Sequence, residues 1–265
     1  MAARVNGRFV VFARPSASAD NPHRELYNSR IVHRTESEDL VHWSKPELVL
    51  KQDIEDSTDT DIYSLQAFPY ESMYLGFMER HFDSPDVVDT ELLFSRDTHL
   101  WQRSRRREAF LGLGSEGNFD SHWVSMLSNG VIRYHHQLWC YYSGRSAAHA
   151  LPYPLNHGAI GLALLRPDGF ASLQAGDKEG WAATPPLAWE AMELQVNLDP
   201  RRDLRAHPKR CVGELRVEVR DENDRPIEGF SREDCEPLRE NTMPKKACSD
   251  VAAASAFWRS SAVPM

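Results

Sequence analysis

Apolar and polar positions alternate in short runs through the first two thirds of the chain, and turn residues separate the runs. Phe9–Ala13, Arg30–Thr35, Glu47–Leu50, Ile62–Pro69 and Met73–Met78 are the first of them. Thr90–Ser95, Trp123–Leu127, Val131–Tyr134, Gln137–Tyr142 and Ala159–Leu165 follow. All are rich in Val, Ile, Tyr, Phe and Trp, and several alternate with a period of two, which predicts strands. No long stretch combines a 3.6-residue period with capping residues. Regular short strands without helices predict a sandwich, a barrel or a propeller.

An internal repeat favours the propeller. Ser37-Glu38-Asp39-Leu40-Val41-His42-Trp43 and Ser95-Arg96-Asp97-Thr98-His99-Leu100-Trp101 share Ser-x-Asp-x-x-x-Trp. A degenerate third copy lies at Leu164–Phe170, and successive copies stand roughly 60 to 70 residues apart, the spacing of four-stranded blades with some long loops. In each full copy a strand is expected to end at the Ser. The Asp carboxylate then accepts backbone N–H groups across a tight turn, and the Trp packs back onto the blade. The blade map that follows is Gly7 to Leu50, Tyr63 to Arg105, and Asp120 to Leu173. Three blades leave a ring open, with unpaired edges. A preceding stretch, a partner chain or self-association would cover those edges; otherwise the unit is an unstable fragment.

The pattern changes after Ala175. Glu193–Leu198 and Gly213–Val219 alternate as strands, Asp221–Pro226 is a polar turn, and Ile227–Phe230 is expected to open another strand. Residues 176–240 therefore read as a small β-sandwich module after propeller blades in 1–175. Residues 241–265, with Ala- and Ser-rich Val251–Ser261, show no strand alternation and read as a poorly ordered tail.

Ser37–Pro46, Ser-Glu-Asp-Leu-Val-His-Trp-Ser-Lys-Pro, resembles the blade motif of five-bladed propeller glycosidases of the family 32 and 43 type. Further resembling segments are Gly7–Pro15, Phe68–Glu71, Phe119–Ser121, Ile160–Ala163 with Arg166–Phe170, and Gly213–Val219 followed by Gly229–Cys235. These cover roughly residues 6 to 238 and are closest to bacterial family-32-like proteins with a C-terminal β-sandwich. The resemblance implies an all-β chain, a partial five-bladed propeller of about three blades followed by a partial sandwich. It also implies further propeller sequence before Met1, and an activity on glycosidic bonds of furanosidic or β-linked sugars through paired carboxylates. In the resembling enzymes the nucleophile or base comes from a first blade that has no counterpart here. A non-catalytic carbohydrate-binding propeller is the alternative.

Inner strands open each blade and line the central funnel in such enzymes. Asp120, in Asn118-Phe119-Asp120-Ser121-His122-Trp123, is the leading catalytic candidate; it reads equally as a turn Asp. Asp61, before Ile62-Tyr63-Ser64, is second, with a solvated loop carboxylate as the other account. Glu79, in Met78-Glu79-Arg80-His81, is third, and a surface Glu–Arg pair would also explain it. Arg14, Arg30, Tyr63, His122, Trp123, Arg145 and His149 are the sugar-binding candidates. Arg and His fork hydrogen bonds to hydroxyls, while Tyr and Trp offer an apolar ring face.

Composition adds boundaries. Seven Trp, eight Tyr and eleven Phe suit β cores and sugar stacking alike. A net charge of −8 argues against nucleic acid as a partner. The one dense basic run, Arg103–Arg107, reads as a solvated turn or strand end. No run approaches the ~18 apolar residues of a membrane helix. The first residues lack a signal-peptide core, so the chain as written reads as cytoplasmic, in a compartment otherwise unassigned. Cys140, Cys211, Cys235 and Cys248 show no zinc-ligand spacing. His135-His136 needs further ligands to hold a metal, and Gly-x-Ser-x-Gly, Walker and Rossmann motifs are absent. No metal and no cofactor are expected, and a carbohydrate is the expected partner.

Overall fold

The computed structural model describes residues 2–14, 30–104, 106–127, 130–148, 150–151, 157–175, 178–186, 193–200, 213–249 and 257–264. Regular structure among them is entirely β, as the alternation predicts. The chain is a partial β-propeller followed by a partial sandwich. It forms two compact units, Met1–Leu165 and Arg166–Met265.

The first unit begins with an antiparallel meander of β1 (Ala2–Val5), β2 (Arg8–Ala13), β3 (Val32–Ser37) and β4 (Glu47–Leu50). Asn6 and Gly7 join β1 to β2 with φ of 50° and 84°. Asn-Gly is the dipeptide that a two-residue turn with two positive φ angles selects, because only Gly and Asn tolerate that region readily. The second meander comprises β5 (Thr60–Tyr70), β6 (Met73–Phe82), β7 (Val87–Ser95) and the two-residue β8 (Gln102–Arg103). In the third, β9 (Trp123–Met126) and β10 (Ile132–Tyr134) lie along the same edge of β11 (Gln137–Arg145), and β12 (Gly158–Leu165) pairs with the other edge. His135 and His136 form the hairpin turn between β10 and β11, with φ of 46° and 59°. The second and third blades meet at a single parallel pair, Val88 with Trp123.

The first two blades share a core of Val10, Phe12 and Val32 from one and Ile62, Leu65, Met78 and Leu93 from the other. Alternation along β5 turns Leu65 and Ala67 into this core, and a bulge between Ile62 and Ser64 brings Ile62 to the same face.

The repeat builds the same turn twice. Leu40 and Thr98 N–H each donate to the Ser Oγ, at 2.8 and 2.9 Å. Asp39 Oδ1 accepts from Val41 and His42 N–H, both at 2.8 Å. Asp97 Oδ1 accepts from His99 and Leu100 N–H at 2.8 and 2.9 Å. The indole N–H of each Trp donates to the carbonyl three residues back, at 3.2 and 3.1 Å. Leu40 and Thr98 both take positive φ, 64° and 68°. Donors of this kind stabilise the ionised form, so the Asp97 carboxyl is held below its ordinary range by the N–H groups of Leu100 and His99. The Trp residues differ in one respect. Trp101 packs against the shared core and meets Phe12 edge-on at 5.8 Å, whereas Trp43 is 40% exposed. At Arg166–Phe170 the positive φ falls on Asp168, 58°, so the third copy forms a different turn.

The second unit has two sheets. β13 (Gly180–Ala183), β17 (Phe257–Pro264) and β15 (Gly213–Arg220) form one; β14 (Glu193–Leu198) and β16 (Thr242–Ser249) form the other. Val196 of β14 packs with Val217 of β15, Cys235 and Leu238. Two expectations change here. Ile227–Phe230 is a turn rather than a strand, closed by the Phe230 N–H on the Ile227 carbonyl at 2.9 Å, with Gly229 at φ 79°. Residues 242–249 and 257–264 are strands, although their sequence does not alternate; backbone pairing to β14 and β15 places them. No helix among the described residues is long and apolar enough to cross a membrane.

The basic run begins at the end of β8, and Arg106 is exposed, but Arg103 and Arg107 are held by ion pairs. Arg103 is held by Asp56 through two bonds of 2.7 Å and by Glu91 at 2.7 Å, and its side chain is 8% exposed. Arg107 reaches Asp53 at 2.6 Å. Arg105 lies outside the described residues.

Candidate functional site

The structure brings together five of the expected binding residues where the second and third blades meet. Arg30 stacks over the Tyr63 ring at 4.6 Å. Tyr63 meets Trp123 edge-on at 5.0 Å, and Arg145 stacks over Trp123 at 4.5 Å. His122 precedes Trp123, and its ring Nδ1 lies 2.9 Å from Ser121 Oγ. The local reasons are visible in the pairing. A bulge between Ile62 and Ser64 frees Tyr63 from the β5–β6 register. Trp123 and Arg145 are direct partners across β9 and β11.

Asp61 belongs to this set. Its Oδ1 accepts the Arg30 N–H at 3.2 Å and the Gln52 side-chain amide at 2.9 Å, and Arg30 Nε lies 3.4 Å from Oδ2. Asp61 is thus not a solvated loop carboxylate, since a guanidinium, an amide and a backbone N–H orient it. Trp123 departs from its expected role. It is 6% exposed, and Arg145 and Tyr63 occupy its face and edge, so it serves as a floor under the guanidinium. Cation–π stacking of this kind holds a guanidinium plane while leaving its N–H fork available.

The other carboxylates lie apart. Asp120 Oδ2 accepts the Tyr142 hydroxyl at 2.8 Å. Tyr142 and Arg145 are three residues apart on β11, hence on opposite faces, which separates Asp120 from the stacked residues. Burial and the bond to Asp120 push the Tyr142 phenol up to about 12. Glu79 is 3% exposed. Its Oε1 accepts from Gln66 Nε2 at 3.1 Å and from Ser125 Oγ. Glu79 is therefore a buried, bonded carboxylate between blades rather than a surface Glu–Arg pair. Arg14 follows β2 and is exposed. His149 lies outside the described residues.

Three residues that the alternation did not single out stand beside the stacked set: His81, Asp83 and Asp86. His81 is tilted against Tyr63 at 6.0 Å. The one available signal was position: His81 stands two residues after Glu79 and therefore on the same face of β6.

Fold and site define an all-β chain with propeller-type blades and a guanidinium–aromatic cluster at a blade junction. No family model matches the chain, and no curated protein matches it. Among solved structures it is similar to an N-acetylgalactosamine deacetylase from F. plautii, in complex with blood group B trisaccharide. That likeness has 15% identity and a TM-score of 0.45, covering 62% of this chain and 49% of that one. It is also similar to a family 117 glycoside hydrolase from the marine bacterium Zobellia galactanivorans, with 12% identity and a TM-score of 0.44, covering 68% and 57%. A β-1,2-mannobiose phosphorylase from Listeria innocua, in complex with β-1,2-mannobiose, has 15% identity and a TM-score of 0.41, covering 62% and 39%. The chain thus spans about half the length of the first two.

Proposed function

We propose that the protein binds a carbohydrate at the Arg30–Tyr63–Trp123–Arg145 stack. The observation that carries this is the pair of guanidinium groups held flat on aromatic rings, with Asp61 beside one of them. Sugars are recognised by forked donors and acceptors set against apolar ring surface, and a stacked Arg supplies both. Arg145 is exposed and makes no ion pair among the described residues, so its fork is available to vicinal hydroxyls or to the carboxylate of an acidic sugar.

Hydrolysis is the second reading. It is supported by carboxylate oxygens of Asp61 and Asp83 that lie within 4.8 Å of each other. Retaining glycosidases hold their two carboxyl groups about 5 Å apart. Asp120 and Glu79, committed to Tyr142 and to Gln66 and Ser125, fit this role less well.

Titration calorimetry against neutral and uronate-containing oligosaccharides, with release of reducing ends followed in parallel, tests both readings. Saturable binding that Arg145→Ala weakens about tenfold or more, at unchanged melting temperature, supports the binding reading. Binding unaltered by Arg145→Ala, or no binding to any glycan offered, overturns it. Turnover that disappears in Asp61→Asn would establish the hydrolytic reading.

A further inference from the structure

At the end of the second blade a second constellation shares only Asp61 with the stack. Asp61, His81 and Asp83 each place one N or O atom within 4.8 Å of the other two. Asp61 and His81 are direct register partners across β5 and β6. Asp83 follows in the turn, where its N–H donates to the Asp59 carbonyl at 2.9 Å.

The surroundings of His81 carry the argument. The residue is 4% exposed, and its Nε2 lies 2.8 Å from Asp86 Oδ1. Asp86 is itself fixed, since its Oδ2 accepts the Ala150 N–H at 3.0 Å. A carboxylate at one ring nitrogen makes that nitrogen the N–H and turns the lone pair of the other outward. Metal-ligating histidines show this arrangement. His81 Nδ1 then faces Asp83 Oδ1 at 3.0 Å. Two lone pairs at that distance repel unless positive charge lies between them. Asp61 completes the set, oriented independently by Arg30 and Gln52. Among the described residues, three carboxylates, Asp61, Asp83 and Asp86, stand against the guanidinium of Arg30.

We propose that Asp61, His81 and Asp83 bind one divalent first-row transition cation, with Asp86 positioning His81. Ligand bonds of about 2.0–2.2 Å place neighbouring donors roughly 3 Å apart. The His81–Asp83 pair already has this separation, and Asp83, 62% exposed, is free to rotate inward. One imidazole with two carboxylates and no sulfur suits Zn2+ ahead of Mn2+, in the order of intrinsic affinity. Ca2+ takes six to eight oxygen ligands, so the imidazole disfavours it.

The test is calorimetric titration of chelator-treated full-length protein with Zn2+, Mn2+ and Ca2+, without any glycan. A single saturable Zn2+ site is expected, tighter than Mn2+, which Asp83→Ala weakens about tenfold or more. Asp86→Asn is expected to weaken it by a factor of about 10–100, as loss of a partner to a ligating His does. Asp83 lies in an exposed turn, so Asp83→Ala should keep the parent melting temperature in metal-free buffer. Zn2+ binding equal in parent, Asp83→Ala and His81→Gln overturns the proposal. So does the absence of saturable binding, or Ca2+ binding as tight as Zn2+. Because no sugar is present, failure of the carbohydrate reading leaves this measurement unaffected.

Discussion

At the scale of single residues, one repeat yields two different tryptophans. Trp101 packs into the core between blades and Trp43 is partly exposed, although the backbone and indole bonds of their turns match. Trp101→Ala should therefore destabilise by about 3 kcal/mol, because it empties a packed site. Trp43→Ala should cost less than about 1 kcal/mol. Urea unfolding of both variants checks the contrast, and equal losses would contradict it. Asp56 offers a second test. Burial raises its carboxyl, but the two Arg103 bonds outweigh that and hold it below its ordinary value of 3.8. A depressed folded-state value contributes stability that is present above the unfolded value. That contribution is lost as pH falls through the folded one. Asp56→Asn should accordingly cost about 1.5–3 kcal/mol at pH 7, since Arg103 loses two charge-assisted bonds while keeping those to Glu91. It should also flatten the loss of melting temperature below about pH 4.

Elements were the more legible level. Alternation located most strands of the three blades, and Ser-x-Asp-x-x-x-Trp located two blade turns, because both signals are local and backbone-driven. β1 was missed, although Asn6-Gly7 is a hairpin signal, since four residues are too few to show a period. Ile227–Phe230 was misread because a turn with Gly229 at positive φ can carry the same apolar residues as a strand. The pairing of Arg103 and Arg107 with Asp56 and Asp53 was invisible, because those carboxylates lie about 50 residues away in sequence. The stack was half legible. Residue type suggested Arg30, Tyr63, Trp123 and Arg145, but only pairing across β9 and β11 and the bulge in β5 could show which would meet. Strand packing yields its own prediction. A Cβ on Gly76 would stand 2.7 Å from the Trp101 ring and 2.8 Å from Leu65. Gly76→Ala should destabilise by about 1–3 kcal/mol, the range for overpacking, as measured by thermal melting. Gly7→Ala, with open space but φ 84°, should cost about 1 kcal/mol through backbone strain alone.

For the molecule as a whole, acid and base should act through different residues. Asp53, Asp56 and Asp97 are held below the usual carboxylate range, so stability should fall as pH drops below about 4. Tyr142 is raised from 10.0 to about 12. Its contribution is complete below pH 10 and is lost as pH rises through the folded-state value. Melting temperature followed from pH 2 to pH 12 should therefore form a plateau with two shoulders. Tyr142→Phe should remove part of the alkaline one and leave the acid one in place.

The Ser-x-Asp turn of the second blade also points backwards along the chain. Thr98 Oγ1 accepts Arg34 Nε at 3.0 Å, and Trp101 meets Phe12, both on the first blade. The second blade is thus fastened to the first by side chains of its own turn, a nearest-neighbour coupling like that of stacked repeat arrays. Such an array gains cooperativity one interface at a time. Cutting the Arg34–Thr98 and Phe12–Trp101 links should split a single unfolding transition into two, with the first blade released before the second.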